Sequence, residues 1–218
     1  MSADAFVRPR MRGILHVAFF PLFLAAGIVL VAIAGSGRGR IAMAAYGIGL
    51  AACLGVSAVY HRGHWTTATR ELLGRVDHAL IFLLIAGSYT PVCLLLLSGP
   101  IAYIVLGFAW LGGLVGGVLS FVWPNPPAWI EVAPYAAVGW VAVIAVPQLI
   151  GALGWGGMTL LAASGLLYTG GAVIYGRQRP DPFPHVFGYH EIFHTMVVLA
   201  AAAQCVMMFV WVLPRSWI

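Results

Sequence analysis

Residues 190–194 read HEIFH, which places two histidines one helical turn apart with a glutamate between them. In the H-E-x-x-H pattern both imidazoles bind one zinc ion, and the glutamate is the general base of a metalloprotease. The residues that follow, TMVVLAAAAQCVMMFVWVL, are apolar and long enough to cross a membrane. A zinc protease of this type takes its third ligand downstream, yet no His, Asp or Glu follows His194. The pattern therefore indicates a metal site in a membrane segment and argues against a metalloprotease.

The third metal ligand has to come from a residue upstream of this histidine pair. A catalytic zinc ion has three protein ligands and one open position. His61 is the best candidate, because it ends one apolar run near the depth at which HEIFH begins another. His64 and His78 are reserve candidates, and His185 is a weaker one. We therefore predict a zinc site formed by His61 together with the pair.

Two further polar residues could act on a water molecule at such a site. Ser57 precedes His61 by four residues, so both side chains point the same way from one helix. The serine hydroxyl could hydrogen-bond the attacking water or a substrate carbonyl. Asp77 could accept a proton from that water or orient it. Glu191 lies about 100° around the helix from His190, so we rank it below Asp77 as the base.

Each of these residues also has a structural interpretation when it is taken alone. His61 could be a hydrogen-bonding residue at the membrane interface, and Ser57 could be a helix-packing residue. Asp77 could be favoured by the helix dipole or could pair with Arg75. The histidine pair is harder to explain in this way, because ionisable residues at membrane depth tend to be functional. Their common depth favours one shared site.

The composition indicates the kind of chain that must position these side chains. Hydrophobic residues make up 62% of the 218 residues and charged residues only 8%, whereas soluble domains have roughly 25% charged residues. The mean hydropathy of +0.98 agrees with a chain that crosses a membrane several times. Cys53, Cys93 and Cys205 fall in apolar runs without a CxxC pair, so we expect packing roles and no disulfide.

Seven apolar runs predict an all-α integral membrane protein, a bundle of seven transmembrane helices. The runs cover residues 14–34, 41–60, 78–97, 100–122, 133–151, 155–175 and 190–213. Glycine and proline punctuate the breaks between them, as expected where helices end. We predict a tail over residues 1–13, one membrane domain over 14–213 and a second tail over 214–218.

The arginines predict the orientation of these spans. With the N-terminus in the cytoplasm, the inner segments hold eight arginines and the outer segments hold three, which satisfies the positive-inside rule. The C-terminus is then outside, and the net charge of +5 reflects this bias rather than nucleic-acid binding. His61, Asp77 and HEIFH all meet near the cytoplasmic face. His16, near the inner end of the first span, is expected to be interfacial rather than catalytic.

Three segments together resemble the haemolysin III family, which belongs with the progestin and adipoQ receptors, including the adiponectin receptors. They are SAVYH, RVDHALIFLLIAGSYTP and HEIFH, in this order along the chain. The resemblance implies a pattern of S-x3-H, then D, then H-x3-H. It implies zinc at His61, His190 and His194, with Asp77 holding the catalytic water and Ser57 completing the first element.

The resemblance also implies a function. The wider group contains alkaline ceramidases and other metal-dependent hydrolases, so we expect hydrolysis of an amide or ester bond in a membrane lipid, ceramide-like or fatty-acyl. The chain begins without the long N-terminal region of the animal receptors, so no protein ligand is expected. Alternatives are a receptor-like or cytolytic protein with structural zinc and, less well supported, a bis-histidine haem protein. The expected location is the cell membrane, as a multi-pass protein of a bacterial inner membrane.

Overall fold

The computed structural model describes residues 9–123 and 126–217. The first eight residues of the predicted N-terminal tail lie outside the described residues, as do Pro124 and Asn125 of a predicted turn and the last residue, Ile218. Within the described ranges the chain is helical and contains no β-strand.

Seven α-helices account for most of the described chain. Their bounds are α1 Ile14–Ile33, α2 Gly37–Arg62, α3 Thr67–Leu95, α4 Gly99–Val122, α5 Ala128–Gly139, α6 Val146–Arg177 and α7 Tyr189–Met207. A 3₁₀ turn joins α5 to α6, and π and 3₁₀ turns continue α7 as far as Trp217. The residues of the predicted C-terminal tail therefore begin inside these last helical turns.

Helix α3 begins well before the apolar run that predicted it. We expected the polar stretch of residues 61–77 to connect two spans, but α3 starts at Thr67, and Asp77 therefore lies in its third turn. The Thr66 hydroxyl accepts a hydrogen bond from the backbone N–H of Thr69, which caps the new N-terminus. Polar residues remain helical here because the backbone hydrogen bonds of a helix are satisfied within the segment, whether its side chains meet water or lipid.

The described chain holds six helical segments that are long and apolar enough to cross a membrane, so the protein is a multi-pass membrane protein. The predicted runs 133–151 and 155–175 fall in one segment, Val132–Arg177, instead of two. Helix α6 is interrupted within the glycine-rich stretch at Gly154, which leaves helical geometry with φ of 59° and ψ of −176°. At 1.5 Å per residue, 46 helical residues would span about 69 Å, roughly twice the apolar thickness of a bilayer.

The contacts of this long segment show where it runs. The Tyr135 hydroxyl donates a hydrogen bond to the His78 carbonyl (3.2 Å), and the Tyr175 ring lies 6.4 Å from the His78 ring. Between these two tyrosines, Gln148 accepts a hydrogen bond from the backbone N–H of Ser98, at the far end of α3. The segment therefore leaves the His78 end of the bundle, reaches the opposite end and returns.

Glycines bring α2 and α3 to backbone distance. A β-carbon on Gly87 would lie 2.5 Å from the Ala45 carbonyl oxygen, and one on Gly49 would lie 2.9 Å from the Leu83 carbonyl oxygen. Two helices that approach this closely hold their side chains in a fixed register, as small residues allow in membrane bundles. The close packing fixes His61, at the end of α2, relative to Asp77 on α3.

Candidate metal centre

The structure brings together the three histidines that the sequence predicted as metal ligands. His61 lies in the last turn of α2, and His190 and His194 lie in the first two turns of α7. All three side chains are buried, and their nearest ring nitrogens lie within 4.8 Å of one another. The Nε2 atoms of His61 and His190 are 3.3 Å apart.

This donor set fits a zinc ion. Two nitrogen ligands of a tetrahedral zinc lie about 3.3 Å apart, given Zn–N distances of about 2.0–2.1 Å. The separation between His61 and His190 matches that value, and a small side-chain movement would bring the third imidazole, at up to 4.8 Å, into the same shell. The chemistry agrees as well, since neutral imidazole is a favoured zinc ligand.

Asp77 lies on the same side of His61 as His190 does. Its Oδ2 atom lies 3.6 Å from His61 Nε2, the nitrogen that also faces His190. This distance exceeds a direct hydrogen bond, so the carboxylate stands beside the donor set without closing it. Ser57 is buried one turn before His61 and lines the same cavity as Asp77.

Glu191, the residue that gives HEIFH its protease-like appearance, is engaged elsewhere. Only 1% of its surface is exposed. One carboxylate oxygen accepts a hydrogen bond from the backbone N–H of Gly188 (2.8 Å), which caps the N-terminus of α7. The other oxygen pairs with the Arg12 guanidinium, which precedes α1. Glu191 therefore holds the start of α7 in place and turns its carboxylate away from the histidines.

The N-terminal segment covers this end of the bundle. The backbone N–H groups of Arg10 and Met11 donate to the carbonyl groups of His185 and Val186, in the connection before α7. Gly13 adopts a left-handed conformation (φ 76°), and a β-carbon there would lie 2.6 Å from the β-carbon of His61. The chain therefore crosses over the His61 backbone at a position that only glycine fits.

His16 is a residue whose place the sequence argument missed. It was expected at the membrane interface, but it is only 3% exposed and stacks on His194, with ring centroids 4.0 Å apart and planes 7° apart. Both of its ring nitrogens are buried without a hydrogen-bond partner in the described part of the chain. The signal was available, because His16 lies in the first turn of a span at the same predicted depth as the other histidines.

The reserve ligand candidates lie outside the trio. His64 and His185 are exposed to the surroundings of the bundle. His78 is half-buried and lines the cavity near Tyr175. Within the described residues, only the predicted three form a group with metal-ligand spacing.

A cavity of about 360 Å³ extends from the histidines into the bundle. Asp77, Ser57, His190 and His194 line one part of it, and His16 joins them there. Most of the remaining wall is apolar and comes from α3, α5, α6 and α7. A ligand with a polar group at the histidines and a hydrocarbon chain beyond them would match this lining.

The helices and the buried histidines define a multi-pass membrane protein with a candidate metal centre at one end of its bundle. A family model described as "Haemolysin-III related" matches residues 5–205, so the chain belongs to this family. The resemblance seen in the sequence is thereby confirmed.

The chain is similar to several curated proteins of this family. It is 32% identical over 143 residues to "Hemolysin-3 homolog" of Bacillus subtilis (strain 168), covering 65% of this chain and 64% of the relative. It is 29% identical over 182 residues to "Hemolysin-3" of Bacillus cereus, covering 84% and 80%. Human "Monocyte to macrophage differentiation factor" is 29% identical over 163 residues, covering 73% of this chain and 65% of that protein. The match thus spans just under two thirds of the first and third relatives.

Proposed function

We propose that this protein is a zinc-dependent membrane hydrolase that cleaves an amide or ester bond of a lipid, in the manner of a ceramidase. One observation carries the proposal. Three buried histidines with metal-ligand spacing stand beside a buried carboxylate at the polar end of an otherwise apolar cavity. Such a cavity suits a substrate with a long hydrocarbon chain and one reactive polar group.

In this proposal His61, His190 and His194 hold the metal. A zinc ion held there would supply Lewis-acid chemistry for the substrate carbonyl and for the attacking water. Asp77 orients the attacking water and takes its proton. The same carboxyl group then passes that proton to the leaving amine or alcohol, so that water adds across the bond. Ser57 donates a hydrogen bond to the carbonyl oxygen as negative charge develops on it.

The position of His16 supports an open coordination site over a structural zinc site with four protein ligands. An imidazole binds a metal with a lone pair that lies in the plane of its ring. Because the His16 and His194 rings are stacked with nearly parallel planes, their lone pairs do not converge on one point. With zinc held by the other three histidines, His16 would therefore not supply a fourth protein ligand.

The proposed topology has seven crossings, with the N-terminus in the cytoplasm and the C-terminus outside. The return of the Val132–Arg177 segment to the His78 end supports two crossings there, with the turn at Gly154. The histidine end then faces the cytoplasm. We place the protein in a bacterial inner membrane, with one membrane domain over 14–213 between short tails, and membrane lipid as its partner.

The first experiment measures zinc per purified chain. We expect about one zinc ion in the wild type and in His64→Ala, whose exposed side chain makes it the matched control. Zinc should fall close to zero in His61→Ala and His194→Ala, and should be retained in His16→Phe. Undiminished zinc in both alanine variants would contradict the metal site.

The second experiment measures release of fatty acid from ceramides and from fatty-acyl esters by the same proteins, with Asp77→Ala as the inactive variant. Release by the wild type that is lost in His194→Ala and Asp77→Ala supports the hydrolase. Stoichiometric zinc without release from any lipid would instead favour the structural-zinc alternative.

A further inference from the structure

The His194 ring is surrounded by other aromatic rings, and one of them lies parallel to it. The ring centroids of His190, His61 and Phe193 lie 4.6, 5.0 and 5.7 Å from that of His194, with their planes tilted by 56°, 60° and 59°. The His16 ring is closer, at 4.0 Å, and its plane is inclined by only 7°. Within the described residues, His16 is therefore the one ring stacked face to face on His194.

A stacked ring limits how the imidazole next to it can turn. The centroid separation of 4.0 Å lies at the edge of the range for carbon atoms in van der Waals contact, about 3.5–4.0 Å. Rotation of the His194 ring about its Cβ–Cγ bond would therefore push one of its edges into His16. An imidazole binds a metal with a lone pair in its ring plane, so the stack fixes the direction in which this lone pair points.

The stack takes a role that a hydrogen bond has in most metal sites. The second ring nitrogen of a metal-ligating histidine usually donates to a carboxylate, a carbonyl or water, and this bond fixes the orientation of the ring. In the described part of the chain, the His194 side chain makes ring contacts and no hydrogen bond, and the stack on His16 is the closest of these contacts. Of the surrounding protein, His16 thus restricts the His194 ring most directly.

His16 contacts the metal centre with the face of its ring and not with its nitrogen atoms. Both nitrogens are buried, and neither has a hydrogen-bond partner among the described residues. The side chain as a whole is 3% exposed. A role for His16 at the site therefore has to depend on the stacked ring itself.

The start of α1 holds the His16 ring against the site. Arg12, four residues earlier, pairs with Glu191, which lies between the two histidines of α7. Gly13 passes over the β-carbon of His61 on α2. His16 follows in the first turn of α1. Three residues within five positions thus touch the two helices that carry the candidate ligands, so the backbone that bears His16 is fixed against both.

We propose that His16 is a positioning residue of the metal centre, whose stacked ring holds His194 in the orientation that a metal shared with His61 and His190 requires. The inference rests on the metal site of the proposed function and not on the hydrolysis. It adds the first span to the elements that build the centre, since the ligands themselves come from α2 and α7.

The test compares two substitutions of His16 that differ in whether a flat ring is present. His16→Phe keeps a ring that can stack on His194, whereas His16→Leu provides an apolar side chain without one. The affinity of the purified full-length chain for Zn²⁺ is measured in detergent by competition with a chelator. We expect His16→Phe to bind about as tightly as the wild type and His16→Leu to bind about tenfold more weakly, since loss of an orienting partner weakens metal binding about 10–100-fold.

A spectroscopic measurement separates ligand orientation from a general loss of stability. The visible absorption spectrum of Co²⁺ bound in place of zinc depends on the geometry of its ligands. We expect the wild type and His16→Phe to share one spectrum and His16→Leu to differ from it. Phe23→Leu is the matched control, because Phe23 is equally buried, at 3% exposure, and lies seven residues further along α1. It should lower stability and leave the zinc affinity and the cobalt spectrum unchanged.

Wild-type zinc affinity with an unchanged cobalt spectrum in His16→Leu would overturn the positioning role and leave the metal site standing. A tenfold loss of affinity in His16→Phe would overturn it too, and this outcome decides the matter even if His16→Leu does not fold. Absence of zinc from the wild type would remove the metal site and the positioning role together. The expected affinities without lipid hydrolysis by any of the proteins would overturn the hydrolase alone.

Discussion

The two ends of the cavity differ in whether their polar atoms face other polar atoms of the protein. At the histidine end, polar atoms from α2, α3 and α7 face one another at 3.3 and 3.6 Å. Deeper in the bundle, the Tyr168 hydroxyl oxygen and the Gln204 Oε1 atom are buried with no hydrogen-bond partner in the described chain. The protein therefore gathers polar atoms at the first end and leaves them isolated at the second.

The largest effect is expected at the histidine end, from replacing Asp77, whose carboxylate lies beside the three histidines. Asp77→Asn keeps the shape of the side chain but cannot take a proton from water. Lipid hydrolysis should therefore fall about 10²–10⁴-fold, while zinc per chain stays near that of the wild type. Release assays combined with metal analysis check this, and a loss of zinc in Asp77→Asn would make Asp77 part of the metal site rather than the base.

The second largest effect is expected from changing Glu191, whose role differs from that of the histidines on either side of it. Glu191→Gln leaves the Arg12 guanidinium without its charged partner, and breaking a buried pair in this way destabilises a protein by about 3–5 kcal/mol. Thermal unfolding in detergent should show the loss, with zinc and the hydrolysis rate of the folded protein retained. Arg12→Gln is the matched variant, and the double variant should be less destabilised than the two single changes summed. Lost hydrolysis with intact stability would restore Glu191 as the base.

A smaller effect is expected where the N-terminal segment crosses His61. Gly13→Ala adds a methyl group 2.6 Å from the His61 β-carbon and strains a left-handed backbone, which costs on the order of 1–3 kcal/mol. We expect lower stability and weaker zinc binding, measured by unfolding and by competition with a chelator. Gly37→Ala is the control, since a β-carbon there meets nothing within 4 Å. Unchanged zinc affinity in Gly13→Ala would separate this segment from the metal centre.

The smallest effect should have the opposite sign and belongs to Gln204. Gln204→Leu removes a buried amide oxygen that has no hydrogen-bond partner in the described chain, so the protein should become more stable by about 1 kcal/mol. Ser164→Ala is the comparison and should gain nothing, because the Ser164 hydroxyl already donates to the Leu161 carbonyl. A destabilised Gln204→Leu protein would mean that the amide is satisfied in the fold, and the contrast between the two ends would disappear.

The approach of the three histidines could be predicted from the sequence, because it depends on local spacing and on depth. His190 and His194 need only one helix to come together, and His61 needs only an orientation for its span. Depth alone could not assign His16 to the site. A histidine at the membrane interface and one stacked within the site can occupy the same position along a predicted span. The contact with His194 depends on how α1 packs against α7, and nothing in the apolar pattern of α1 encodes that packing.

The middle of the bundle was harder to predict for a physical reason. A break at the glycine-rich stretch was expected, and Gly154 leaves helical geometry there, although the residues on both sides belong to one apolar segment. Gln204 is a polar residue within an apolar run of the sequence. That it lacks a partner is a property of three-dimensional packing, because any facing helix could have supplied one.

The pairing of Arg12 with Glu191 has a consequence for the order of assembly. The arginine is made among the first residues of the chain and its partner among the last, with every other span in between. The same holds for His61, which waits in the membrane until α7 is synthesised. Neither the Arg12–Glu191 ion pair nor the candidate metal centre can form before α7 has been synthesised. Both therefore require that α7 has been synthesised and inserted, and a product truncated before α7 would carry neither.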